Sequence, residues 1–357
     1  MEIIKDTAFL NREKEMQFLE LYINERPESI VFLHGPKSSG KTTLLYKFLE
    51  RMEKKQELDV KFLNLRKKLI SNYKDFIRIF FGVDYSKSRG DVKEKREYGL
   101  FNLFKLSVEV LKGLDAGELD PFEVMNTEFI KLDQKGIKPV IVIDELQALD
   151  KIYIDDEKER MLVIALFNFF VAMTKESHLA HIIIASSDGY FLNTVYNDSR
   201  LKKTSTFYKV DYLSKKDVTD WLLNLEKYSK IKAYTLTEDD VEKIWNTVGG
   251  SMWEIQDILF KLFTDPIDQV LTEYIKRIRS MIVSYAAKPE RKAIEKLLER
   301  FIENEELLQE ETNPEDGDLL RDMVRQNILY FDPTQAKFYP QGKSYHNGIR
   351  AYFIKEK

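Results

Sequence analysis

Gly35-Pro36-Lys37-Ser38-Ser39-Gly40-Lys41-Thr42 fits the pattern G-x-x-x-x-G-K-[ST], a spacing that lets a short loop wrap its backbone N–H groups around phosphate oxygens. An apolar run at 29–34 precedes it and a helical run beginning at Thr43 follows. The loop therefore sits where a strand hands over to a helix N-terminus, itself an anion site. Residues 35–43 are expected to cradle a polyphosphate, with Lys41 reaching the β- and γ-phosphates and the Thr42 hydroxyl taking one Mg2+ position. About a hundred residues on, the apolar run 140–143 ends in adjacent carboxylates, Asp144 and Glu145. Two carboxylates ending a buried strand are costly without a cation. Asp144 is expected to hold Mg2+ through water, and Glu145 to polarise a water for attack on the terminal phosphate. A carboxylate that activates water argues for hydrolysis rather than phosphoryl transfer to a metabolite.

The elements that must position these groups are legible in the pattern. Apolar, β-branched runs at 29–34, 60–65, 140–143, 181–186 and 207–210 alternate with helical segments, which predicts a parallel sheet covered on both faces. The first 210 residues thus read as an α/β core. The stretch 66–138 is far too long for an ordinary βα connection and is expected to be a helical insertion. From 214 onward the periodicity is helical over 214–225, 237–248, 252–263 and 267–285, with Ser214 and Thr237 as N-caps. That predicts a helical lid at 211–288. A helix pair and then a hairpin from 328–331 and 337–339 predict a winged helix at 289–357.

These motifs, with their neighbours, resemble those of the archaeal ATPase family, a branch close to the STAND and AAA+ P-loop ATPases and to archaeal origin-recognition proteins. Phe9-Leu10-Asn11-Arg12-Glu13-Lys14-Glu15 is similar to the family's F-x-N-R-E-x-E opening, which implies that Asn11 and Arg12 lie near the adenine. The strand at 181–186 resembles the sensor-1 strand, which implies that Ser187, flanked by Ser186 and Asp188, monitors the γ-phosphate. Residues 248–253 resemble the G-G-x-P signature of the lid, but Met252 stands where proline is usual and no arginine occurs over 241–261 to act as sensor 2. Arg200 falls where related ATPases often carry an arginine that enters a neighbouring subunit's site; beside Lys202 and Lys203 it reads more readily as an ordinary basic surface turn. The resemblance implies ATP and ADP as ligands, Mg2+ as cofactor and slow hydrolysis that drives a conformational switch. The alternative is a winged-helix module for nucleic acid or protein in which ATP is a structural ligand.

Composition narrows the choice. With 56 Lys and Arg against 60 Asp and Glu the chain is too balanced for a polyanion-binding tail, and its lack of cysteine removes disulfides, thiolate metal sites and cysteine nucleophiles together. The four histidines, 34, 178, 181 and 346, never adopt the i, i+4 spacing of a helical zinc site. No signal segment or membrane span is evident, and a cytoplasmic location is expected. Charge divides the last segment: eleven acids to four bases over 290–318, then seven bases to three acids over 321–357. Arg321 and Arg325, four apart on the expected recognition helix, with Lys337, Lys343 and Arg350 near the wing, would suit DNA phosphates. The acidic half opposes that, so DNA and a protein partner both stay open, as does assembly of subunits through Arg200.

Overall fold

Alternating apolar runs and amphipathic helices fold as the pattern requires. A computed structural model of the protein describes residues 9–52, 58–84, 93–94, 106–155, 157–198 and 201–354, with backbone alone at 83–84 and 93–94. Along the chain come α1 (Glu13–Asn24), β1 (Ile30–His34), α2 (Lys41–Met52), β2 (Leu58–Asn64) and α3 (Tyr73–Phe81). The short antiparallel pair β3 (Val83–Asp84) and β4 (Lys93–Glu94) follows, then α4 (Val108–Ala116), α5 (Pro121–Asp133) and β5 (Lys138–Asp144). The core closes with α6 (Leu162–Val171), β6 (His181–Ala185), α7 (Gly189–Asn197) and β7 (Ser205–Lys209). The long insertion does carry helices of its own, α3, α4 and α5, each opened by a side-chain cap from Asn72, Ser107 or Asp120.

The five long strands form one parallel sheet in the order β2-β5-β6-β1-β7. Its side chains alternate between two cores. Phe32, Ile141, Ile143, Ile182 and Ile184 face one, while Val31, Leu33, Val140, Val142 and Ile183 face the other. Burial on both faces is why these strands read as unbroken apolar runs. Because all run parallel, the loops after β1, β5 and β6 emerge at one edge, which is where a site assembled from three distant segments can form.

Beyond β7 the chain builds α8 (Lys215–Leu223), α9 (Leu225–Ser229), α10 (Glu238–Val248), α11 (Met252–Lys261) and α12 (Ile267–Ala286). Ser214 with Asp217 and Thr237 with Asp240 form reciprocal capping boxes at α8 and α10. The last segment supplies α13 (Arg291–Glu299), β8 (Leu307–Leu308), α14 (Gly317–Arg325), β9 (Leu329–Asp332), β10 (Lys337–Pro340) and α15 (Lys343–Phe353), with the three strands antiparallel in the order β8-β10-β9. The helix pair and hairpin lie where the pattern placed them. The helix α15 is an addition that the pattern did not announce. It packs against α12 so closely that a methyl group on Gly348 would stand 2.4 Å from Ile278 Cγ2. Residues of α8 to α12 and of the C-terminal segment share one apolar core, from Leu213 and Trp221 through Ile278 to Phe331 and Ile349.

Candidate functional site

Gly35 opens the phosphate loop at φ 146°, and a Cβ there would stand 2.1 Å from Val210 O, so only glycine lets the loop leave β1 beside the end of β7. The loop closes onto α2, whose first residue is Lys41. Lys41 is buried, and its Nζ donates to Gly35 O (2.8 Å) and Pro36 O (2.9 Å). Burial pulls its ammonium down to about 8, against the opposing pull of Glu145 and Asp144. Asp144, at the carboxyl end of β5, accepts from Thr42 Oγ1 at 2.7 Å and from Asn64 Nδ2 at 3.2 Å. Burial raises the proton affinity of its carboxyl, and the Thr42 hydrogen bond offsets part of that. The hydroxyl and carboxylate that the sequence paired for Mg2+ thus touch across 102 residues of chain.

Glu145 leaves the strand in the left-handed region, φ 65°, anchored by its N–H to Ala185 O at 2.8 Å. A non-glycine residue held there is costly and turns the side chain off the strand direction. One carboxylate oxygen of Glu145 accepts from the Arg66 guanidinium and the other from the Gln147 amide. Gln147 in turn accepts from Ser186 Oγ at 2.8 Å, so the end of β6 reports to Glu145 through one side chain. Ser187 lies with Lys37, Ser38, Gly40, Lys41, Thr42, Thr43, Arg66 and Glu145 around one open cavity of about 240 Å³, which Met252, Trp253 and Gln256 of α11 also line. Neither Arg66 nor Gln147 was visible as a site residue in the sequence. Arg66 stands two residues past Asn64, which is in register with Asp144, a signal that exists only once β2 is known to lie beside β5.

A family profile of ATPase domains found predominantly in Archaea matches residues 9–258. The chain belongs to that family. It is 32% identical over 342 residues to an uncharacterised ATP-binding protein of Pyrococcus abyssi, spanning 94% of each chain. To an uncharacterised ATP-binding protein of Methanocaldococcus jannaschii it is 29% identical over 371 residues, spanning 96% of this chain and 97% of the other. Among solved structures, a Walker-type ATPase of Pyrococcus abyssi superposes with a TM-score of 0.68 at 15% identity, covering 98% of this chain and all of that one. The Aeropyrum pernix ORC2 protein, solved with ADPNP and ADP, superposes at 0.54 and 11% identity over 99% and 98% of the two chains. Those two structural likenesses establish the fold: an α/β core around a parallel sheet with helices beyond it.

In this member of the family the remaining expected residues take other places. Arg12 is buried beneath the phosphate loop, where its Nη2 donates to Ser39 O (2.7 Å) and Asp211 O (2.8 Å) and its Nη1 pairs with Glu15 (2.7 Å). Asn11 points to the lid and donates to Asp217 Oδ2 at 2.6 Å. Ser39 is buried in the loop, and Pro36 faces a different cleft, toward Tyr212 and Tyr330. Asp188 caps α7, accepting from Tyr190 and Phe191 N–H groups. Arg200 lies outside the described residues.

The C-terminal hairpin reaches the same loop from the other side. Tyr330 Oη meets His34 Nδ1 at 3.1 Å, where burial holds the imidazole down to about 4, and Lys209 pairs with the fully buried Asp332 at 3.3 Å. Gln341, with its amide oriented to satisfy both ends, accepts from Lys37 N at 2.7 Å and donates to Leu329 O. Gly189, at the start of α7, has no room for a Cβ, which would stand 2.1 Å from Phe331 O. Arg321 and Arg325 of α14 are both exposed. They line a cleft of about 590 Å³ opposite Asp150, Asp188 and Asp198, and Arg321 sits over the Tyr190 ring at 5.5 Å.

Proposed function

We propose that this protein binds ATP with Mg2+, hydrolyses it slowly, and uses the difference between its triphosphate and diphosphate states to move the lid and C-terminal segment. The observation that carries the reading is the convergence of Lys41, the Thr42–Asp144 pair and Glu145 around one cavity at the carboxyl edge of the sheet. Thr42 and Asp144 offer hard oxygen donors of the type magnesium takes, and the raised proton affinity of buried Asp144 marks a carboxylate short of positive charge. When bound, the ion would neutralise charge on the phosphate oxygens. The chain's own residues do the rest. Loop amides and Lys41 hold the phosphates, Ser187 faces the terminal phosphate, and Glu145 accepts the proton of the attacking water. The ATP-binding relatives support the choice of nucleotide.

We read residues 1–210 as the catalytic core, 211–288 as the lid and 289–357 as a winged helix. The hairpin contacts to His34, Lys37 and α7 support a switch over a structural role for ATP, because a change at the phosphate loop meets the C-terminal segment directly. DNA or a protein partner would meet the C-terminal segment, and oligomers would form through Arg200. The test is calorimetric titration with ATP or ADP plus magnesium, followed by phosphate release. Binding with turnover that Glu145→Gln removes supports the reading, whereas no heat and no shift in melting temperature overturns it. Tight binding without turnover would leave ATP as a structural ligand.

A further inference from the structure

The archaeal ATPase shows no arginine in the lid stretch 241–261, yet one guanidinium does enter the phosphate cavity from an unexpected place. Arg66 sits in a single 3-10 turn (Leu65–Lys67) directly after β2, the strand paired to β5. Its side chain is 59% exposed and anchored by one partner, a carboxylate oxygen of Glu145. It is also close enough to Lys41 and Asp144 to act on the charge of both. Three cationic side chains, Lys37, Lys41 and Arg66, thus line one cavity together with Glu145.

That arrangement has a consequence for Glu145. With Arg66 on one oxygen and Gln147 on the other, both oxygens are engaged and neither is free to orient a water. A γ-phosphate entering between Lys41 and Ser187 brings more negative charge than one carboxylate and accepts a guanidinium in a bidentate fork. The exposed Arg66 stem can swing without disturbing the core.

We propose that Arg66 is a γ-phosphate sensor that acts in cis: it occupies Glu145 while the pocket lacks a γ-phosphate and transfers to the γ-phosphate oxygens when ATP binds. The transfer releases one Glu145 oxygen to take a proton from water as the water oxygen bonds to Pγ and the Pγ–O bond to ADP breaks. After phosphate leaves, Arg66 returns to Glu145. The inference rests on the proposed ATP site, and its test is built to fail separately.

The experiment compares wild type, Arg66→Ala and Arg66→Lys by titration with ADP, with ATP in the Glu145→Gln background, and by phosphate release. ADP affinity of Arg66→Ala is expected within about twofold of wild type, which also reports that the variant is folded. Its ATP affinity is expected to fall about tenfold and its turnover about a hundredfold or more, the scale of a guanidinium on a transferring phosphoryl group. Arg66→Lys is expected to recover part of the ATP affinity but little of the turnover, since an ammonium lacks the planar fork. An unchanged ratio of ATP to ADP affinity in Arg66→Ala overturns the sensor, and so does a rise in its turnover, which would make Arg66 a brake alone. Absence of nucleotide binding by the wild type overturns the ATP site itself.

Discussion

The phosphate cavity and the C-terminal seam are built from the same kinds of contact but respond differently to a reading of sequence. At the cavity, Lys41, Thr42 and Glu145 line one space, and Asp144 is hydrogen-bonded to Thr42. Local backbone geometry sets each one: a glycine turn at a helix N-terminus, or the end of a buried strand. At the seam, Arg321 and Arg325 carry the charge of a DNA-facing helix and, though exposed, border a cleft that Asp150, Asp188 and Asp198 also line. Charge spacing along a helix says which residues share a face, not what that face meets. The difference teaches that a motif with backbone requirements transfers from sequence to structure, whereas a surface charge pattern waits on docking.

The contrast can be pressed hardest at the cavity. Lys41→Ala should abolish detectable nucleotide binding, and Glu145→Gln should lower turnover by about a thousandfold with binding retained, the usual range for loss of a general base. A Glu145→Gln protein that still turned over would remove the chemical distinction of this edge of the sheet. At the seam, Phe331 is fully buried and stacks on Tyr190 at 5.3 Å. Phe331→Ala should cost about 3–5 kcal/mol of stability by chemical denaturation, the range for deleting a core phenylalanine. Loss of the core transition along with the C-terminal one would show that the seam holds the two regions as a unit. Two separate transitions, only one of them shifted, would show that it does not.

Acid should weaken both regions by a common cause. His34 at the seam and His181 in β6 are buried, and burial holds each imidazole down to about 4. The unfolded chain binds protons near pH 6.5 that the folded chain refuses, so stability present above 6.5 is lost as pH falls toward 4, by up to about 3 kcal/mol for each histidine. His181→Leu should flatten that acid limb in a melting series, and an unchanged limb would remove His181 as a cause. The smallest effect belongs to the arginines. With Asp150, Asp188 and Asp198 lining the same cleft, Arg321→Ala with Arg325→Ala should change any DNA affinity less than twofold and leave its salt slope intact. A slope reduced by about two, as two lost phosphate contacts give, would show that the exposed pair meets phosphates despite those acids.

Much of the fold was legible because burial on two faces writes itself into unbroken apolar strands, and capping boxes mark where helices begin. All five sheet strands lie within two or three residues of their expected ends, and α8 and α10 open at the caps Ser214 and Thr237. What escaped was relational. Arg66 and Gln147 are ordinary polar residues until β2 is set beside β5 and β5 beside β6. The helix α15 hides behind a hairpin that already completed a familiar pattern, and its role in fusing the lid with the C-terminal segment depends on Gly348 meeting Ile278.

The amino-acid order alone determined the phosphate loop, the acid pair and the parallel sheet, since each follows from steric and solvation rules acting within a dozen neighbouring residues. Only the tertiary structure decided that Arg66 would clasp Glu145, that Arg12 would brace the loop from beneath, and that the hairpin would rest on His34 and Lys37. Those contacts join segments from 27 to just over 300 positions apart. Pairing at such range is selected by the packing of whole elements, and no local pattern records it.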